Sequence, residues 1–411
     1  MLKRLILTLV TTAVIISCSP ERLPLPVPNE TEDAFGASDT NYVELNPQWN
    51  SSTIGVSFSN PQDITIGLDG IIYVTDTGNN RVLPMAKSGE VLSRSGFETL
   101  TPIEHPYGVS VDSKLNVLIV NGTNTVYAWN QFLNFVDIDS VADRALFYDP
   151  RQDALRDMSF NEYVDSLLLG MPQLDVVEPL FIDNAALIDS ARAVYPMFRY
   201  PERDAQINSV AAGPFGSEVF YITESAYDKI SEIRIVPQLA VKTGSGSVLF
   251  RYRGLFLRDI ASFGSGAGTV DDPWGIECDS DGHLYFTQLG GNFRVQKLDA
   301  PNFNPAYVLG IHDIMDLDRF DSPRDISLDD QNAIFVIDTE RQSVSKFDNA
   351  GRTAGQLADL GSKGLATDTF NQGRGIMVDD NIVYVVESGQ NRIRRYQYSV
   401  SEDDVPDDKE P

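Results

Sequence analysis

Cysteine, histidine and positive charge are all scarce in this chain, and each scarcity removes a class of explanation. Its 411 residues hold 2 cysteines, Cys18 and Cys278, too few for a disulfide framework, so packing must hold the fold together. Its 3 histidines, His105, His283 and His312, are scattered and do not suggest a three-histidine zinc site. Against 59 acidic residues stand only 32 lysines and arginines, a formal net charge of −27. Phosphate backbones are bound through a surplus of basic side chains, so no nucleic acid is expected as a partner. The acidity reads instead as a solvated surface that keeps a protein soluble outside the cytoplasm. Also missing are a serine nucleophile elbow, a phosphate-cradling glycine loop, a CxxC pair and a paired His and Glu motif. Beyond the first 18 residues no stretch is apolar enough to span a bilayer.

What the chain does have is a recurrence. Five times a proline or glycine opens an apolar alternation that closes, 14 or 15 residues on, with a polar residue after a hydrophobic triplet. The copies run from Pro61 to Asp76, Pro106 to Asn121, Pro273 to Gln288, Pro323 to Asp338 and Gly373 to Glu387. Each reads as two strands around a polar turn, the second strand more continuously apolar than the first. A third strand follows, such as Arg81-Val82-Leu83 in the first copy and Arg392-Ile393-Arg394 in the last. Adjacent copies start 45 or 50 residues apart, the period of a propeller blade rather than of a helical solenoid. Between Pro106 and Pro273 a degenerate copy runs from Asn208 to Glu224, which brings the count to six.

The expected fold class is therefore all-β, a six-bladed β-propeller with an inserted, mainly helical segment at residues 131–200. Within that segment Ser159 and Glu162 form a capping box, with Phe160, Tyr163, Val164, Leu167 and Leu168 at helical spacing. A second helix is expected over 184–195. Their apolar faces need a surface, either the propeller rim or a partner protein. The last copy lacks an outer strand, and the alternating residues 53–58 are expected to supply it and seal the ring.

The N-terminus carries an address. Lys3 and Arg4, an apolar run over 5–16 and then Ser17 form a secretory signal over residues 1–17. Ile15-Ile16-Ser17-Cys18 resembles the lipobox of bacterial lipoproteins, which implies lipidation of Cys18. Residues 18–41, with Pro20, Pro24, Pro26 and Pro28, read as a tether reaching about 3 Å per residue in its proline-rich part. The propeller is expected over 42–400, and residues 401–411 are an acidic tail expected to be disordered. The expected place is the bacterial cell envelope, at the periplasmic face of the outer membrane or the cell surface, with the membrane as partner through the lipid. Cys278 shares a strand face with Ile276 and reads as a small buried hydrophobe.

One copy carries a family resemblance more fully than the rest. Gly264, Gly266 and Gly268, then Asp272-Pro273-Trp274-Gly275-Ile276, Asp279-Ser280-Asp281-Gly282, Leu284-Tyr285-Phe286 and Arg294-Val295-Gln296 resemble an NHL repeat. The first copy adds Tyr73-Val74-Thr75-Asp76 with Gly78, Asn79, Asn80 and Arg81-Val82. The resemblance implies a six-bladed ring over 42–398 without the insertion. It is specific for fold and weak for function, since such propellers include sugar-lactone hydrolases, amidating lyases, sensor domains and plain binding modules.

The second-strand ends Asp76, Asn121, Glu224, Gln288, Asp338 and Glu387 recur once per blade, as a structural role predicts. Residues that differ between blades at one register are better binding candidates. Directly after the proline or glycine these are Gln62, Tyr107, Trp274, Arg324 and Arg374. Two aromatics and two guanidinium groups at one funnel could hold a sugar ring, a peptide or an anion by stacking and bidentate bonds, or could simply cap the core. Calcium-dependent lactonases, which the resemblance brings in, place carboxylates and amides around the axis. The matching residues here are Asp63, Asn208 and Asp325, each of which could equally form a local turn or bond a neighbouring blade. No cofactor is expected, and calcium is the ion such a set would take. The expected function is a lipid-anchored binding or scaffold module for a protein, peptide or carbohydrate ligand. The alternative is a metal-dependent hydrolase or lyase, lactonase-like, acting at the axial funnel.

Overall fold

Each alternation folds into the inner strand of a blade. The structure, a computed structural model, describes residues 41–92, 103–141, 144–149, 154–159, 162, 192–245, 247–353 and 370–399. The signal segment, Cys18, most of the tether and the acidic tail lie outside these residues.

In chain order, β1 (Asn41–Glu44) and a short helix α1 (Ser51–Ile54) precede blade 1, made of β2 (Pro61–Ile66), β3 (Ile72–Asp76) and β4 (Arg81–Met85). Blade 2 begins with β5 (Gly108–Val111), β6 (Asn116–Val120) and β7 (Thr125–Asn130). An insertion follows, with α2 (Gln131–Phe135), β8 (Ile138–Val141) and a hairpin of β9 (Arg144–Asp149) and β10 (Ala154–Ser159). The chain then returns in β11 (Tyr195–Arg199), which pairs with β7 as the outer strand of blade 2. Blade 3 holds β12 (Ile207–Ala212), β13 (Val219–Glu224) and two long strands, β14 (Lys229–Thr243) and β15 (Val248–Ser262). Blade 4 holds β16 (Pro273–Cys278), β17 (Leu284–Gln288), β18 (Val295–Asp299) and β19 (Asn304–Pro305). Blade 5 holds β20 (Pro323–Leu328), β21 (Ile334–Asp338) and β22 (Ser343–Phe347), and blade 6 holds β23 (Gly373–Asp379), β24 (Ile382–Glu387) and β25 (Arg392–Ser399). Blades 1 and 5 have three strands each among the described residues. The inner strands β2, β5, β12, β16, β20 and β23 contact one another in that order and β23 returns to β2, so the ring is closed.

The second strand of each blade is apolar up to its polar end because both of its faces are covered. In β3, Tyr73 packs with Val109, Val117 and Ile119 of blade 2, while Ile72 and Val74 pack with Met377 and Val386 of blade 6. The same alternation repeats around the ring, and each of the six blade-to-blade interfaces has its own buried apolar cluster. The core is thus six wedges rather than one centre, as repeat stacking requires.

The N-terminus does seal blade 6, but with a different segment from the one the alternation suggested. β1 lies antiparallel to β25, from Asn41 opposite Ser399 to Glu44 opposite Tyr396. Glu44 accepts from Nε and Nη2 of Arg394 at 2.9 and 2.7 Å, and Arg394 is only 1% exposed. Trp49 continues along the same strand, bonding Ile393 through both of its backbone groups. Residues 53 and 54, the start of the expected strand over 53–58, belong to helix α1 instead. The Asn50 side chain accepts from the backbone of Ser52, Thr53 Oγ1 accepts from the backbone of Asn50, and Gly55 ends the turn at φ 73°. This capping box outweighs a six-residue alternation.

The expected helical insertion is also corrected in part. Its described portion includes one short helix, a strand and a hairpin, and Ser159, the expected N-cap, is the last residue of β10. Tyr195, the expected end of the second helix, belongs to β11. Glu162 and Arg192, which fall within the two expected helices, are helical, and apart from Ser159, Glu162 and residues 192–195 both expected helices lie outside the described residues. The insertion interrupts blade 2 between its third and fourth strands. β8 joins the far end of the β14–β15 hairpin of blade 3, and Leu133, Ile138 and Val241 pack together there.

Candidate functional site

The polar residue that ends each second strand is an anchor for the turns around it. Asp338, 1% exposed, accepts from the backbone N–H groups of Asp321, Ser322, Glu340 and Arg341 at 2.7 to 3.1 Å. Glu224 does the same for Gln206, Ala226 and Tyr227, and Asp76 accepts from the Ser59 N–H and from Arg81 Nε. Glu387 accepts from the Asn371 N–H and pairs with Arg392. Gln288 accepts from Asp271 and donates to the Phe293 carbonyl, while Asn121 donates to that of Glu104. These residues serve the fold and not a ligand.

The residues of the next register converge on the axis. One small cavity is lined by Gln62, Asp63, Tyr107, Asn208, Trp274, Arg324, Asp325 and Arg374, together with Gly108, Ser209 and Gly275. All five sequence-derived ligand candidates and all three metal candidates therefore meet in one place. Its volume is about 40 Å³, room for an end group and not for a sugar ring.

Strand register places these residues in two layers. Pro61 lies opposite Asp76, Ile207 opposite Glu224 and Pro273 opposite Gln288, so Asn208 corresponds to Gln62 and Trp274. Asn208 therefore belongs to the mouth, and the blade 3 counterpart of Asp63 is Ser209. Both Asp63 and Ser209 donate their backbone N–H to a threonine hydroxyl, Thr75 and Thr223, in the same way. The deeper layer alternates around the ring: Asp63, Ser209 and Asp325 in the odd blades, Gly108, Gly275 and Gly375 in the even ones. The glycines are needed because the neighbouring blade comes too close for a side chain. A Cβ on Gly275 would lie 2.7 Å from Asp325 Cα, and one on Gly375 would lie 2.7 Å from the Gln62 carbonyl.

The carboxylates of this layer tie blades together. Asp63 accepts from the Val109 N–H of blade 2 at 2.8 Å and from that of Ile64 at 2.7 Å. Asp325 accepts from the Ile376 N–H of blade 6 at 2.8 Å, and Asn208 donates to the Pro273 carbonyl of blade 4 at 2.9 Å. Burial raises the pKa of both aspartates, and the charge of Asp63 raises that of Asp325 further. The two carboxyls interact with each other, which favours the protonated form of the pair.

This donor set does not fit a resident calcium ion. Asp63 spends both oxygens on backbone donors, and two cationic side chains face the same small space. Among the described residues no three His, Cys, Asp or Glu side chains are placed to share a metal. His283 Nδ1 is engaged by the Ala300 N–H, and His312 Nδ1, half-buried, by the Val308 N–H. Cys278 is a free thiol packed beside Ile276, and burial pushes its pKa up, away from nucleophilic use.

The mouth layer is cationic. The Arg324 guanidinium lies 4.0 Å over the Trp274 ring, whose Nε1–H is held by Asp272 at 3.2 Å. Burial, and then the charge of Arg374, lower the Arg324 pKa to about 10, and burial lowers that of Arg374 as well. Nε and Nη1 of Arg324 and Nε of Arg374 are buried with no hydrogen-bond acceptor. Tyr107, 36% exposed, and Gln62, bonded to Asn60 Oδ1 and Ser388, complete the rim.

Sequence reasoning missed Glu277, two residues below Gly275 on β16. Its counterparts are uncharged in every other blade, Thr65, Ser110, Ala211, Ser327 and Met377, so a plain strand alternation hid it. Its carboxylate is bonded by the Cys278 N–H alone, at 3.3 Å. Burial, with a smaller contribution from Asp63, raises its pKa to about 7. The protonated form is favoured in the fold, so its stabilisation is present in acid and is lost as pH rises towards 7 and beyond. Replacement Glu277→Gln should raise stability by about 2 kcal/mol at about pH 8 and flatten the decline from about pH 5, read as thermal midpoints across that range. A variant that declines with pH as steeply as the parent would count against this placement.

Residues 58–83 match the NHL repeat. The chain carries an NHL repeat within a six-bladed propeller. The match covers β2, β3 and the start of β4, the NHL strand-turn-strand unit that the other blades echo. No curated protein matches the chain by sequence. Similar solved structures include a gluconolactonase from Xanthomonas campestris, at 10% identity and TM-score 0.46, covering 89% of this chain and 92% of that one. A virginiamycin B lyase from Staphylococcus aureus, solved with quinupristin, is 12% identical at TM-score 0.43, over 82% of this chain and 80% of that one. A calcium-binding regucalcin from Agrobacterium tumefaciens is 11% identical at TM-score 0.40, over 88% and 92%. None of these likenesses carries an activity over to the NHL-repeat chain.

Proposed function

We propose that this protein is a ligand-binding module of the bacterial cell envelope, anchored by lipid on Cys18, whose axial mouth captures one end of a small ligand. The observation that carries the reading is the set of three buried guanidinium nitrogens of Arg324 and Arg374 that have no acceptor at the mouth. Leaving such donors unmatched is costly, and a ligand acceptor would offset that cost. The binding reading is preferred to a catalytic one because the axial carboxylates are bound to backbone donors.

The anchor and the mouth are tested separately. Cys18→Ser should move the protein from the membrane fraction to the soluble one, and unchanged partitioning would remove the anchor from the account. For the mouth, thermal shifts are measured against a panel of small organic anions, neutral sugars and short peptides. Some member should stabilise the parent and fail to stabilise Trp274→Ala/Arg324→Ala, while the unliganded variant keeps a native circular dichroism spectrum. Equal responses in parent and variant would place binding elsewhere.

A further inference from the structure

We infer that the group received by the axial mouth is a single carboxylate, held end-on between the Arg324 and Arg374 guanidinium groups with the rest of the ligand pointing outwards. The inference rests on the mouth-binding reading and narrows it to one chemistry.

The first argument is a mismatch in charge pairing. With 59 acidic residues against 32 basic ones, a carboxylate partner for any arginine is easy to find. Arg81, Arg258 and Arg394 each have one at 2.7 Å. Among the described residues Arg324 and Arg374 form no ion pair, and they lie close enough to repel each other. No described residue supplies their acceptor, which leaves the place open to a ligand.

The second argument is shape. Trp274 fixes the plane of the Arg324 guanidinium and is itself held by Asp272, so the N–H fork is preorganised. A planar carboxylate matches such a fork with paired short bonds. One face of Trp274 is taken by Arg324, so an aromatic or sugar ring cannot stack on that face as well. About 40 Å³ accepts a carboxylate and its first carbon, since a single water needs about 10–15 Å³. Anything larger stays at the rim, beside Tyr107 and Gln62.

The third argument separates carboxylate from phosphate or sulfate. Beneath the arginines lie Asp63 and Asp325, and Glu277 is deeper on the axis. These acids tolerate one added negative charge opposite two guanidinium groups, whereas a dianion would be pressed against them.

The test uses the full-length protein and intrinsic tryptophan fluorescence. Trp49 and Trp129 are buried between blades, which leaves Trp274 as the reporter at the mouth. Acetate should give a saturable change that neither acetamide nor chloride at equal ionic strength reproduces. Arg374→Gln and, independently, Arg324→Gln should each weaken it about tenfold or more, and Arg374→Lys should not restore it. Two variants guard against one of them failing to fold. N-acetyl-diglycine binding more tightly than acetate would identify a peptide terminus as the source, and equal binding would identify a small free acid. Inorganic phosphate binding more tightly than acetate through the same arginines would overturn the carboxylate while leaving the mouth intact. Absence of any arginine-dependent response to acetate overturns the inference, and the panel above then decides whether the mouth binds anything.

Discussion

A chain that begins at Pro47 should lose about 5 kcal/mol of stability and melt about 10 °C or more below the full chain. The loss has three sources. β1 leaves the outer edge of blade 6, so the backbone groups of β25 lose their partners. Arg394, almost wholly buried, loses the Glu44 carboxylate. Tyr42, 5% exposed, leaves the cluster it shares with Phe335, Ile376 and Tyr396 between blades 5 and 6. The proper control begins at Asn41, retains every contact just named and should melt with the full chain. Differential scanning calorimetry on both truncations decides the matter. If the chain starting at Pro47 melts unchanged, the ring is not held shut by its N-terminal strand.

Asp338→Ala should cost about 4 kcal/mol, because four backbone N–H groups at the blade end lose a charged acceptor at once. Asp338→Asn keeps one acceptor oxygen and should cost clearly less. Neither change touches the axial mouth, so ligand capture by the folded fraction should be preserved. Denaturant midpoints compared with binding at low temperature separate the two effects. A mild loss of stability combined with abolished binding would show that the carboxylate serves a ligand and not the turn.

The blades were legible in the sequence because every unit solves the same local problem. A proline or glycine begins the inner strand, a polar turn follows, and the second strand must be apolar on both faces. The mouth residues Gln62, Tyr107, Trp274, Arg324 and Arg374 were legible for the same reason, since a fixed register around a closed ring brings them to one axis. Asn208 was placed one layer too deep because blade 3 has Ile207 where the other blades have proline or glycine, and the hydrophobic residue hid the start of the copy. The closing strand was misplaced because Asn41–Glu44 is short and gains its identity from pairing with β25, a contact no local pattern encodes. The long β14–β15 hairpin escaped notice beyond its first residues. Its outer half carries alternating Arg251 and Arg253, and its strand character comes from cross-strand pairing. The unsatisfied state of Arg324 and Arg374 is a property of the assembled mouth and cannot be read from spacing at all.

The most direct test of the account is an experimental structure of the full chain obtained with acetate present. It should show a planar carboxylate bonded to both Arg324 and Arg374 at the mouth of six blades closed by β1 on β25. The account fails if both guanidinium groups are instead turned onto protein carboxylates such as Asp272 or Glu340, with nothing bound at the axis.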